Sequence, residues 1–316
     1  MKANQKYNLV WVFVMGIVLA GCGQANTSNS VTQTPLDSEG CKKIAFVIST
    51  DTNSDIYTVC PDGSDLINIT NDLANDSLPS WSPDGQKIAF ASTRAGSSQI
   101  YIMDEDGNNP IKLTSDYNNI LPVWLPDGDQ IAFLTSDGEG LWWWRILNLE
   151  DKEISQFTEP SYDFFYQTPA WSPDGKRLAY MSLEEQRERN DGSSQIHVKD
   201  LDGSSDIALT EDIWANITPK WSPDGSKLAF LSERDGNYNN FALYVVNQDG
   251  TKLRKLSEPI YYENNSFSWS PDGRQIVIES NSSRGSLFLI DVKSGNLKEL
   301  LKRSDEERVY APSWQP

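Results

Sequence analysis

Residues 81–90 read WSPDGQKIAF. Almost the same ten residues return as WSPDGKRLAY at 171–180 and as WSPDGSKLAF at 221–230. Shorter copies stand at Trp124 (WLPDG) and Trp269 (WSPDG), and the chain ends in PSWQP, with Trp314 in the same place. From Trp81 through Trp124, Trp171, Trp221 and Trp269 to Trp314 the steps are 43, 47, 50, 48 and 45 residues. A period of this length is that of one four-stranded propeller blade.

The copies share more than the tryptophan. A proline stands two residues before it at Pro79, Pro122, Pro169, Pro219 and Pro312, with Phe267 as the exception. The residues after it (Ser, Pro, Asp, Gly) suit a type I turn. A strand-like run follows (QKIAFAS, DQIAFLT, KRLAYMS, SKLAFLS, RQIVIES), then a second (QIYIMD, WRILN, QIHVKD, ALYVVN, LFLID). A tight turn, often Asp-Gly, leads to a third run ending in Leu-Thr or similar. KKIAFVIS, DIYTVC and LINIT at the front lack a Trp strand before them, and APSW at the back lacks anything after it. Joined, these two ends complete one unit. The expectation is an all-β, six-bladed propeller over residues 40–316, its ring closed by the C-terminal strand beside the first three.

This pattern, P-x-W-S-P-D-G-x-x-I-A-F followed by I-Y-x-x-D-x-D-G and L-T, resembles the TolB-type propeller repeat. The resemblance covers about residues 40–316. TolB itself carries an α/β domain ahead of its propeller, which this sequence does not match, so the resemblance does not imply a role in the Tol–Pal system.

The first 39 residues read differently. Lys2 and Lys6 precede the apolar run LVWVFVMGIVLA (9–20), which is short for a membrane span. Leu19-Ala20-Gly21-Cys22 resembles the lipobox of bacterial lipoproteins, which implies a signal peptide over 1–21 and lipidation of Cys22. Gly23, rather than Asp, implies the outer membrane in a cell that has two; otherwise the expected address is the outer face of the plasma membrane. Residues 22–39 are small and polar, as in a flexible tether. Cys41 and Cys60 flank two strand-like runs joined by a short turn, so in an exported chain they are candidates for a disulfide, with two free thiols as the alternative.

Composition narrows the ligand. Lys plus Arg number 27 against 45 Asp plus Glu, a net charge of −18. Such a surface repels nucleic acid and anionic lipid, though it does not oppose a lipid anchor on a tether. The short SPDG and Asp-Gly turns share one face, and the other two sets of connections, which vary in length, share the opposite face. Variable loops on a rigid scaffold are the expected binding surface. They carry Tyr117, Tyr162, Phe164, Phe165, Tyr166, Trp214, Tyr261, Tyr262 and Tyr310 among acids and amides. These aromatics either bind a ligand, or cover the mouth of the channel or pack between blades.

A protein or peptide partner is the expected ligand, and an extracellular glycan, bound or cleaved, is the alternative. The long charged insertion at 182–194 is a solvated loop or a second contact. Trp142 and Trp143 fall near the variable face, with packing between blades the expected role of LWWWRI. Nothing singles out a catalytic set: there is no G-x-S-x-G, one histidine (His197) sits at a strand position, and no cofactor or metal motif is present. DTNSD (51–55) has calcium-like spacing without the following Gly and distant Glu of an EF-hand loop. The aspartates of the repeated turns (Asp84, Asp127, Asp174, Asp224, Asp272) are expected to bond their own turn amides.

Overall fold

The computed structural model describes residues 40–161, 168–182, 193–235, 240–258, 266–280, 285–302 and 307–316. Contacts divide the chain into two compact units, Met1–Gly40 and Cys41–Pro316. Among the described residues of the second, every regular element is a strand.

Six antiparallel sheets of four strands form a ring. Blade 1 holds β1 (Ile44–Ser49), β2 (Ser54–Val59) and β3 (Ile67–Asn68). Blades 2 to 6 run from β4 (Asp76–Trp81) to β7 (Ile111–Lys112), β8 (Asn118–Trp124) to β11 (Ile154–Gln156), β12 (Ala170–Trp171) to β15 (Asp206–Ala208), β16 (Asn216–Trp221) to β19 (Arg254–Lys255), and β20 (Phe267–Trp269) to β23 (Leu297–Lys302). The last strand, β24 (Arg308–Trp314), completes blade 1 by pairing with β1, Ile44 opposite Trp314. The six-bladed propeller and its C-terminal closure, expected from the repeat count, are both present. Gln315 seals the joint: its amide bonds the Gly85 carbonyl in blade 2, and Lys43 donates to its Oε1.

The middle strands are buried on both faces, because each sheet packs against two neighbouring sheets. That is why they read as continuous apolar runs rather than as an alternation. Ile88, Ala89, Phe90 and Ala91 are all buried. Each of the six contacts between blades is a hydrophobic cluster that includes one repeat tryptophan: Trp81, Trp124, Trp171, Trp221, Trp269 and Trp314. The indoles also bond across the contacts. Trp81, Trp124, Trp221 and Trp269 donate Nε1–H to the carbonyls of Ser313, Ser80, Ala170 and Lys220, the residue just before the tryptophan of the preceding blade. Trp314 Nε1 is buried and has no acceptor among the described residues.

The proline two residues before the tryptophan marks a bulge. Leu78, Leu121, Thr218 and Ala311, each just before that proline, have φ between 53° and 55°. The strand register slips there in blades 1, 2, 3 and 5. Blade 6 has Phe267 instead, and its pairing is unbroken. A bulge removes one ladder bond, which is where a residue without an N–H fits.

Candidate functional site: the loop face

The two faces of the ring differ in what their polar groups do. On the turn face the repeated Ser-Pro-Asp-Gly spends its own hydrogen bonds. Ser82 Oγ donates to Asp84 at 2.6 Å, accepts from Lys87 N, and Asp84 accepts from Gln86 N. The same three bonds recur around Asp174, Asp224 and Asp272. The serine hydroxyl, then the backbone amide, holds Asp84, Asp174 and Asp224 below the usual carboxylate range, Asp224 at about 2; Asp272 is lowered first by Ser270. In blade 3 Leu125 replaces the serine and packs into the core cluster, and Asp127 keeps only its bond from Asp129 N. These carboxylates each hold their own turn through Oδ1.

On the opposite face, the loops from one blade into the next share a construction. The Thr or Ser that ends the outer strand accepts an amide of the third strand: Ile56 N to Thr70, Ile100 N to Thr114, Trp144 N to Thr158, Ile196 N to Thr210 and Leu243 N to Ser257. The hydroxyl stands in for the next rung of the ladder, which explains the recurring Leu-Thr. An aspartate follows. Asp72 accepts from Ala74 N and Asp212 from Trp214 N, two Asx turns that push the intervening residue outward. Gln99 and Gln195 then clamp the loops from below through the carbonyls of Tyr117 and Asp212.

Three arginines hold these loops in place. Arg94 pairs with Asp76 at 2.7 Å, Arg145 with Asp116 at 2.9 Å and Arg234 with Asp212 at 2.8 Å. Arg94 and Arg234 also lie over aromatic pairs, Phe90–Tyr101 and Phe230–Tyr244. Asp76 is fully buried; burial raises its pKa, opposed by Ser92 and Arg94. A carboxylate enclosed beside an arginine serves the loop rather than a solvent-borne substrate.

The residue pushed outward by these two turns is apolar, Leu73 or Ile213, and Tyr117 takes the corresponding place after Asp116. Leu73 is 97% exposed, Tyr117 53% and Ile213 64%. Of the aromatics singled out in the sequence, Tyr117 stands at a loop tip with its ring edge-on to Trp143. Trp214 is half-buried beside Ile213. Tyr310 lies in β24, packed against the cluster around Trp81, and burial raises its pKa. Tyr162, Phe164, Phe165, Tyr166, Tyr261 and Tyr262 lie outside the described residues, as does most of 182–194. Trp142 packs in the blade 3–4 cluster.

The remaining candidates have structural surroundings. His197 sits against Tyr180, and Asp206 faces its Nδ1 at 3.3 Å. Asp55, in the calcium-like stretch, accepts from Asn53, Asn68, Thr70 and Asp72 N. Among the described residues no group of His, Cys, Asp and Glu could hold a metal ion. Cys41 and Cys60 are joined as a disulfide, Cα atoms 5.8 Å apart.

Sequence reading missed the clamps, although they have a signal: Ser-x-Arg after the second strand, at Ser92–Arg94 and Ser232–Arg234. It also missed an inner-wall pair. Lys220 stands where the other blades have Ser80, Val123, Ala170, Ser268 and Ser313. Glu279 stands where they have Ala91, Leu134, Met181 and Leu231. Lys220 bonds the Phe267 carbonyl of blade 6, and Glu279 accepts from Ala311 N at the bulge of blade 1. Enclosure lowers the Lys220 ammonium to about 8, with Glu279 opposing.

Comparison with known proteins agrees with this architecture. The chain aligns with TolB from Acinetobacter baumannii at TM-score 0.74 and 24% identity, over 87% of this chain and 67% of that one. A protein assigned as TolB from Agrobacterium tumefaciens aligns at 0.63 and 20%, over 88% of this chain and all of that one. Hydrazine synthase of Kuenenia stuttgartiensis aligns at 0.66 and 16%, over 87% of this chain and 46% of that one, so the likeness is one of fold. No curated protein matches the chain. The family model for the TolB beta propeller domain matches residues 18–164 and 155–316, and the chain belongs to that family.

Proposed function

We propose that this chain is a lipid-anchored protein of the cell envelope whose propeller holds a protein or peptide partner on its loop face. The observation that carries the reading is the set of apolar tips, Leu73, Tyr117 and Ile213, standing exposed on loops held by ion pairs to half-buried arginines. Exposed apolar groups on a pre-ordered frame favour binding, because little conformational entropy remains to be lost. The exposed apolar residues nearer the turn face, Leu66, Ile67, Ile111, Leu201 and Leu253, are 39–56% exposed and lie in or beside the two outer strands of their blades, whereas Leu73 and Ile213 stand 97% and 64% exposed at loop tips. Membership of the TolB propeller family supports an envelope location and protein binding. The lipobox-like Leu19-Ala20-Gly21-Cys22 supports the anchor.

The test is site-specific photo-crosslinking in the native cell. A crosslinking residue replaces Leu73, Tyr117 or Ile213 on the loop face, or Asp62, Asp202 or Asp249 on the turn face. Defined protein adducts from the loop positions alone are expected. Equal adducts from both faces, or none, overturn the reading. Radiolabelled palmitate should enter the full chain and fail to enter Cys22→Ser; label in the variant removes the anchor from the proposal.

A further inference from the structure

The charges on the loop face say what kind of partner its apolar tips suit. Asp51, Glu139, Glu159 and Glu211 are exposed there, and none has a salt-bridge partner among the described residues. They come from four connections: the one inside blade 1, the one inside blade 3, and the loops from blade 3 to 4 and from blade 4 to 5. The arginines of the same face do not offset them. Arg94, Arg145 and Arg234 have 20%, 15% and 16% of their side chains exposed, and each is bound to an aspartate. Lys255 is likewise engaged, by Asp235 and Glu258.

Most exposed lysines among the described residues lie on the other side of the ring, with Lys302 at the loop-face end of β23 as the exception. Lys112, Lys152, Lys176 and Lys252 lie in or beside the turns of the turn face and are exposed. The turn face also carries exposed carboxylates without a salt-bridge partner among the described residues, such as Asp65, Asp106 and Asp151, but there they lie among these lysines. On the loop face the apolar tips (Leu73, Tyr117, Ile213) share the surface with four carboxylates that have no salt-bridge partner among the described residues.

We infer that the loop face docks a basic segment of another polypeptide, one that places Lys or Arg beside Asp51, Glu139, Glu159 and Glu211 while its apolar side chains cover Leu73, Tyr117 and Ile213. This rests on the proposed use of the loop face and adds the chemistry of the partner. Complementary charge sets orientation and the rate of encounter, and apolar contact sets how long the complex lasts. A partner of negative charge meets uncompensated carboxylates and is repelled, and a partner that is basic without apolar groups leaves the three tips in water.

The experiment uses the full chain in a non-ionic detergent and three labelled synthetic peptides of about 12 residues. One repeats Lys-Leu-Lys-Trp, the second replaces its lysines by glutamates, and the third keeps the lysines and replaces Leu and Trp by serine. Fluorescence anisotropy reads the binding. The first peptide should bind at least tenfold more tightly than either of the others. Raising salt from about 50 mM to about 500 mM should weaken it severalfold, because exposed charges are screened. L73S/Y117S/I213S should weaken it at least tenfold, and the fourfold change D51N/E139Q/E159Q/E211Q should remove the salt dependence. Circular dichroism and melting temperature confirm that both variants remain folded.

If the glutamate peptide binds as well as the lysine peptide, and L73S/Y117S/I213S still abolishes both, the loop face stands and the basic chemistry falls. If the lysine peptide binds but neither variant weakens it, the charge attraction lies elsewhere on the molecule and both readings fall. Binding of no peptide also overturns the inference.

Discussion

Replacing Lys220 with methionine tests the inner-wall pair. Met nearly conserves volume and removes the charge. In the folded protein the ammonium titrates at about 8, against 10.5 ordinarily. The residue keeps a little surface, but the shift belongs to the ammonium itself, which is enclosed. Its folded pKa is depressed, so between about 8 and 10.5 the unfolded chain holds a proton that the folded chain has released. Stability therefore rises with pH across that window. A shift of about 2.5 units corresponds to about 3 kcal/mol. At pH 7 the wild-type and variant stabilities lie closer together, because the variant also loses the bond to the Phe267 carbonyl and leaves Glu279 without its counter-charge. The slope is the discriminating quantity. Urea unfolding of the chain from Gly23 onward, followed by tryptophan fluorescence from pH 7 to pH 10.5, should show wild type gaining about 3 kcal/mol on Lys220→Met. Cys41 and Cys60 are joined, so no free thiol reshuffles at high pH in that form. A difference between the two proteins that stays constant across the range would mean an ammonium in contact with water and would refute the enclosure.

Ser222→Ala removes the hydroxyl that bonds both Asp224 and Lys227 N; it should cost about 1–2 kcal/mol, read as a melting point a few degrees lower. Asp224 is held at about 2, so its contribution is present above the ordinary carboxylate range and is lost as pH falls from about 4 to about 2. The residue is mostly in solvent, so Asp224→Asn should flatten the acid limb of the stability curve by about 1 kcal/mol at most. Gly285 and Gly96 both have φ of 96°, but a Cβ on Gly285 would lie 2.4 Å from Val309 N of the closing strand, while Gly96 faces open space. Gly285→Ala should therefore cost more than about 3 kcal/mol, and Gly96→Ala about 1, in the same urea assay. Arg234→Lys cannot reach Asp212, Asn216 and Ser232 together; amide exchange should speed up over residues 211–216 while the blade cores stay protected.

What the sequence made legible follows from repetition. Six copies of Trp with nearly equal spacing state the blade count, and the unmatched front and back state the closure, because these depend on order along the chain. The SPDG aspartates were legible as turn residues for the same reason: each bonds an amide two residues away. The loop clamps were not. Arg94 meets Asp76 across 18 residues and Gln99 meets Tyr117 across another 18, so no local pattern shows the partnership. Lys220 and Glu279 were visible only as breaks in the repeat, and their coupling runs between blades, 59 positions apart. The loop aromatics were the opposite case. A loop tyrosine reads the same whether it is a tip or a lid, and Tyr117 at the surface and Tyr310 against the core show the two outcomes.

The departures from the repeat and the open loop face bear on each other. In five blades the inner strand carries the Pro–Trp pair, and in blade 6 it carries Phe267 with an unbroken register. That is the blade that must meet the closing strand, whose own bulge at Ala311 leaves an amide directed at blade 6. Glu279 accepts it, and Lys220 reaches from the other side to the Phe267 carbonyl. The two charged residues thus secure both contacts of blade 6: Lys220 of blade 5 ties it on one side, and Glu279, within blade 6, ties it to blade 1 on the other. The ring is held from within and from the turn face, by groups whose bonds are already made. Leu73 and Ile213 take no part in that work, and Tyr117 adds only surface contacts with Trp143 and Arg145, so the three can be exchanged for serine with little loss of stability. A large drop in melting temperature for L73S/Y117S/I213S would show that these side chains close the ring rather than face a partner.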